Sequence, residues 1–203
     1  MICNTQEMPV SSRSLIVSRI VEEVSAVPGA SEPSREIEHI AHGVAAYIEG
    51  RPGAVCVESD YVLLTATRAL ASMGRENLAR RWVAFRSGVA RFSHWAAAGS
   101  EPMLVLDISR LRLPDGGVEL ALFSTVGIVL DAVADVWNES KGRGVLGLRR
   151  AADTAAALLG TPLRGRRTAA LTAEVMAFCG ERTRWIGEKR GWVTSPRIMN
   201  LDI

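Results

Sequence analysis

Apolar residues in the first half of the chain recur three and four positions apart, so it opens as a series of amphipathic helices. Leu15, Ile16, Ile20 and Val24 define the first, which Ser11 or Ser12 can cap and Val27-Pro28-Gly29 breaks. Pro33 and Ser34 open the second. Its stripe of Ile37, Ile40, Ala41, Val44 and Ile48 is the best periodic signal in the chain, and Arg51-Pro52-Gly53 ends it. Ser59 or Asp60 can cap a third helix with Val62, Leu63, Ala66, Ala69, Leu70 and Met73 inward, and Gly74 stops it as a left-handed cap would. A fourth starts near Arg75, carries Leu78, Trp82 and Phe85 on one side, and reads on towards Trp95 before Gly99 closes it. Short breaks between these helices predict a compact bundle.

The texture changes after Gly99. Met103 to Ile108 is an apolar run of strand length. Leu111 to Leu113, the turn Pro114-Asp115-Gly116-Gly117 and Val118 to Phe123 read as a β-hairpin, although Val118 to Leu122 reads equally as the start of a helix. Ser124 to Trp137 is helical. A Gly-rich break at Gly142 to Gly147 precedes a helix from about Leu148 to Leu159, a last helix runs from about Thr168 to Glu188, and the tail from Gly191 is extended. The expected fold is therefore mostly α. A helical region over 1–99 contains a four-helix bundle. An α+β region over 100–203 contains a small β-hairpin and three further helices, the C-terminal ones basic.

Composition supports helices: apolar residues make up 48% of the 203, with Ala, Val and Leu dominant, while aromatics are only 5%. No run approaches the roughly 20 uninterrupted apolar residues that cross a membrane, and Met1 to Val10 does not read as a signal peptide. Cys3, Cys56 and Cys179 are odd in number and scattered, which fits a reducing compartment and a cytoplasmic location. Net charge is only +2 but is unevenly spread. Residues 141–190 hold eleven Lys/Arg against four acids, and residues 1–140 hold twelve against seventeen. That asymmetry points to an anionic partner for the second half, or to contact between the halves.

Several stretches together carry a family likeness. Ser12-Arg13-Ser14-Leu15-Ile16-Val17-Ser18-Arg19-Ile20 comes first, then Ile37, Ile40, Val44 and Ile48, then Val57-Glu58-Ser59-Asp60-Tyr61-Val62, then Ala69-Leu70, Gly74, Ala79 and Trp82-Val83-Ala84-Phe85-Arg86. In this order, from Ser11 to about Gly88, the chain resembles an ATP-cone domain. That family is a small helical bundle with an N-terminal β-hairpin; it binds ATP or dATP and regulates ribonucleotide reductases and a repressor of their genes. The resemblance implies the same helical scaffold and allows ATP or dATP as the one cofactor. The family's grip on nucleotide lies partly in a Lys-Arg pair followed by a turn residue and Gly in that hairpin. Met1 to Val10 contains no Lys, Arg or Gly, so the resemblance carries no binding residue onto this chain.

Candidate chemistry is sparse. Gly142-Arg143-Gly144-Val145-Leu146-Gly147 spells Gly-x-Gly-x-x-Gly. With Lys141 before it and Arg149 and Arg150 after it, Lys141, Arg143, Gly144, Arg149 and Arg150 form a candidate anion or nucleotide site. A helix, not a strand, is expected before these glycines, so a flexible helix–helix connector is the plainer reading. His39 and His42 lie three apart on the second helix but lack a third ligand, so no metal is expected. Asp131 and Asp135 share a helix face, and Asp107 ends the expected strand; together they could divide acid and base roles, or form an acidic stripe facing the basic lobe. No nucleophile motif is present, so no catalytic residue is assigned. Arg164, Arg166 and Arg167, with Trp185 and Trp192 near Arg182 to Arg190, are candidates for nucleic-acid contact.

Three functions are expected, in order of preference. The first is a non-catalytic regulatory or protein-interaction protein on a degenerate ATP-cone-like scaffold, with another protein as partner, open to a nucleotide response and to self-association. The second is nucleic-acid binding through residues 141–190. The third is an enzyme of unknown chemistry around Asp107, Asp131 and Asp135.

Overall fold

The computed structural model describes residues 7–9, 13–27, 35–50, 56–92, 101–111 and 119–202. The expected caps at Ser11, Ser12, Pro33 and Ser34, the breaks at Pro28-Gly29 and Pro52-Gly53, Trp95, Gly99 and the turn Pro114 to Gly117 lie outside these described residues. The chain is mostly helical with a small mixed sheet, and it divides into two compact units, Met1–Val83 and Ala84–Ile203. The break falls inside the fourth helix, sixteen residues before the expected boundary at 99.

In the first unit, strand β1 (Glu7–Pro9) pairs antiparallel with β2 (Cys56–Glu58). Helices α1 (Arg13–Ser25), α2 (Arg35–Glu49) and α3 (Ser59–Ser72) pack on one another. Ile16, Ile20 and Val24 of the anticipated α1 stripe are buried while its Leu15 is exposed, and on α2 the anticipated Ile37, Ile40, Ala41, Val44 and Ile48 are buried together with Ala45. Each fully buried Ile or Val contributes roughly 1.5–3 kcal/mol of hydrophobic stabilisation. Met73 and Gly74 close α3, with Gly74 at φ +78° as its role of left-handed stop requires. Helix α4 (Glu76–Arg86) ends well before Trp95, because strand β3 (Ala90–Phe92) begins four residues later.

The second unit is built on a four-stranded sheet in the order β3, β4 (Met103–Asp107), β5 (Val145–Arg149), β6 (Arg197–Asn200). β3 runs antiparallel to β4, while β4, β5 and β6 are parallel. Parallel neighbours need long crossovers. Helix α5 (Glu119–Val133) lies between β4 and β5, and helices α6 (Ala151–Leu159) and α7 (Arg166–Arg190) lie between β5 and β6. The core joins Leu104 and Leu106 of β4, Leu146 and Leu148 of β5, Leu122, Val126 and Leu130 of α5, and Leu171, Val175 and Cys179 of α7. Burial pushes the Cys179 thiol up to about 12, so it acts as a small apolar side chain.

The structure corrects two expectations and adds a partner to a third. From Glu119 onward the second arm of the expected hairpin is the first turn of α5, the helical alternative for that stretch, and β4 pairs with β3 and β5. The glycine-rich segment is not a connector between helices, because Val145–Arg149 is an interior strand with Val145 to Leu148 all buried. The tail contributes strand β6, paired with β5. The stretch Glu119–Trp137 is long and apolar enough to cross a membrane by length and composition. Leu122, Val126, Leu130, Val133 and Trp137 are nevertheless buried in the core of the second unit.

Candidate functional site

In the first unit a groove runs between α2 and α3. It has a volume of about 780 Å³ and is lined on the α2 side by Glu36, His39, Ile40, Gly43, Val44 and Tyr47. That size falls within the roughly 300–1,000 Å³ typical of binding sites. The two helices supply these residues by their own periods. On α2, Ile40 and Val44 belong to the buried stripe, and His39, Gly43 and Tyr47 follow four apart along its border. On α3 and just past its end, Tyr61, Thr65, Arg68, Ala69, Ser72 and Met73 line the opposing face.

The groove is more apolar than its residue types suggest. Thr65 donates its hydroxyl to the Tyr61 carbonyl at 2.8 Å, and Ser72 donates to the Ala69 carbonyl at 2.8 Å. Both hydroxyls are thereby satisfied within α3. Tyr47 and Met73, both lining the groove, are 59% and 60% exposed.

One end of the groove is tied by a fork. Arg75 donates Nε to Glu36 Oε1 at 3.1 Å and Nη2 to Glu36 Oε2. These hydrogen bonds hold the Glu36 carboxyl below its usual value and raise Arg75. Both groups are solvent-exposed, so the fork positions two helix ends and adds little stability. Arg68 is exposed and carries no ion pair among the described residues, so with Glu36 paired to Arg75 the groove presents a cation on its α3 side.

The candidates from the second half are arranged differently. Lys141, Arg143 and Gly144 precede β5, Arg149 ends it and Arg150 follows, so a strand of roughly 13 Å separates the two groups. The amides of Gly142, Arg143 and Val145 donate to the carbonyls of Trp137, Ser140 and Pro102, so these three donors are committed within the protein. Gly142 is at φ +89°, and a Cβ there would lie 2.0 Å from the Thr194 carbonyl oxygen; at Gly144 it would lie 2.5 Å from that of Pro102. These glycines serve close packing. Arg150 has left-handed backbone at φ 57°, and its amide and that of Ala152 donate to the Asp202 carboxylate while its guanidinium pairs with Asp107.

Asp107, Asp131 and Asp135 do not form one catalytic cluster. Asp107 is buried and accepts from Ser109 at 2.7 Å and from Arg150. Asp131 takes a fork from Arg182 of α7, and Asp135 pairs with Arg190. The stacking candidates are occupied too: Trp185 is flanked by Arg182 and Lys189, and Trp192 packs edge-on against Trp137 and donates to Asn138 at 3.0 Å. Arg164, Arg166 and Arg167 are exposed at the start of α7, without an ion pair among the described residues. His39 and His42 are both exposed on α2, and no group of metal-ligating side chains occurs among the described residues.

Sequence reasoning named His39 as a metal candidate but missed Gly43, Tyr47, Tyr61, Arg68 and Met73 as site residues. The available signal was a glycine inside a strongly periodic helix, followed four residues later by an aromatic on the polar border. Comparison of the chain with known family models, curated proteins and solved structures finds no match.

Proposed function

We propose that this chain is a non-catalytic regulatory protein that binds another protein through its N-terminal unit, a degenerate ATP-cone-like four-helix scaffold. The groove between α2 and α3 carries this reading, with Tyr47 and Met73 standing exposed at an apolar trough. Exposed aromatic and Met side chains around a concave apolar surface favour protein contact. The separate pairing of the three aspartates speaks for binding over catalysis, since an enzyme needs its groups within reach of one another. The absence of Lys and Arg from Met1 to Val10 speaks against a triphosphate as the main ligand.

The test compares proteins copurifying with the intact chain and with its Tyr47→Glu/Met73→Glu variant from native extract. A partner retained by the intact chain and lost from the folded variant is the expected result. An unchanged set of partners contradicts the reading.

A second reading, nucleic-acid binding, rests on Arg164, Arg166 and Arg167. They crowd the positive end of the α7 dipole, an unfavourable placement that an anion would relieve. Replacing all three with Ala then weakens nucleic-acid binding and flattens its salt dependence. Undetectable binding of the intact chain at about 50 mM salt removes the idea.

A further inference from the structure

Gly43 stands where helix formation opposes it. It occupies the middle of α2, and a Cβ built on it would meet no atom within 4 Å. The other glycines inside the described helices each back onto a side chain: Gly127 onto Phe178 at 3.5 Å, Gly180 onto Ile198 at 3.6 Å and Gly187 onto Trp192 at 3.0 Å. Glycine in a helix interior is among the least favourable residues, and only close packing, a turn or a left-handed conformation normally requires it. None of these applies at Gly43. What its missing side chain does is deepen the α2 wall of the groove, opposite the small residues Thr65, Ala69 and Ser72 of α3.

We infer that the groove admits an amphipathic helix of a partner protein, which lays an apolar stripe over Gly43 and directs an acidic side chain to Arg68. The inference rests on the protein-binding reading above and names the partner's chemistry. From Glu36 to Tyr47 the groove follows α2 for about 16 Å, three turns of a helix, which suits anchors at i, i+4 and i+7. A floor of Gly and small residues lets a helix backbone approach closely. Thr65 and Ser72 turn their hydroxyls to their own backbone, so an apolar stripe strands no donor there. Charge selects the sign: Glu36 is neutralised by Arg75, whereas Arg68 is exposed without an ion pair among the described residues and His39 stands on the facing wall. An acidic helix satisfies that cation, and a basic one meets it with repulsion.

The experiment titrates the full chain into a fluorescent model peptide of about 14 residues, with Leu at its first, fifth and eighth positions and Glu flanking them. A twin carries Lys in place of Glu. The acidic peptide is expected to bind saturably with Kd below about 100 µM, and the basic twin at least about tenfold more weakly. Gly43→Leu, which fills the trough, and independently Tyr47→Glu, each lower affinity for the acidic peptide about tenfold or more in a chain of unchanged circular dichroism. Arg68→Glu reverses the preference between the twins. Equal binding of both peptides, lost in Gly43→Leu, overturns the acidic partner and leaves the protein-binding reading standing. No saturable binding, or binding that Gly43→Leu and Tyr47→Glu leave unchanged, overturns the inference. So does a dimer of the free chain that Gly43→Leu dissociates, which gives the groove to a second copy.

Discussion

Particular glycines and charges in the two units are set in contrasting ways. In the second, Gly142 and Gly144 press against carbonyl oxygens and cannot carry a side chain, and Asp107, Asp131 and Asp135 each have an arginine. In the first, Gly43 faces empty space and Arg68 is exposed without an ion pair among the described residues. The contrast separates residues kept for stability from residues that stability does not explain. A Gly-x-Gly-x-x-Gly string looked the more functional of the two in sequence, yet its geometry is structural. The isolated glycine of α2 carried no motif, and it is the one that packing leaves without a purpose.

The largest expected effect lies at the packed glycines. Gly142→Ala combines a positive φ with a Cβ 2.0 Å from the Thr194 carbonyl oxygen, and should destabilise the second unit by about 3 kcal/mol or more. Urea denaturation followed by Trp fluorescence measures it; a loss below about 1 kcal/mol would remove the distinction between the two kinds of glycine. Next is Asp107→Asn, which leaves the part-buried Arg150 guanidinium without its carboxylate. The expected loss is about 2 kcal/mol, moderated by the exposure of Arg150, and the same denaturation curve reads it.

Gly43→Ala goes the other way. With nothing for its methyl to strike, it should stabilise the first unit by about 0.5–1 kcal/mol, seen as a higher urea midpoint. The smallest effect belongs to the Glu36–Arg75 fork. The Glu36 pKa is lowered by the hydrogen bond from Arg75, so its contribution is present above the unfolded value and is lost as pH falls through the folded one. A melting profile over pH 3 to 6 should therefore be slightly shallower for Glu36→Gln than for the parent. Superimposable profiles would show that the fork contributes nothing measurable.

The legible part of the fold is the part that buries one side of a helix. Ile37, Ile40, Val44 and Ile48 announce α2 because its other side is solvated. Strand β5 escaped because Val145-Leu146-Gly147-Leu148 is buried throughout and shows no alternation, as is usual for an interior parallel strand. Its Gly147 looked like a helix breaker, whereas it makes room for Leu201, whose Cδ1 would lie 2.5 Å from a Cβ there. Strand β6 was read as extended, but Arg197, Ile198, Met199 and Asn200 alternate too weakly to reveal a partner strand. The charge asymmetry was visible and partly explained by pairing across residue 140, since Arg182 and Arg190 hold Asp131 and Asp135. The groove itself was hidden, because a trough belongs to two helices and only Ile40, Val44, Ala69 and Met73 of its lining lie on the sequence stripes.

The most direct test measures stability and binding on one preparation of Gly43→Leu. Its urea midpoint should rise above the parent's, because Leu favours a helix more than Gly does, while its affinity for the acidic helical peptide falls at least about tenfold. A midpoint that falls, or an affinity that stays at the parent value, would contradict the claim that Gly43 serves to keep the groove open.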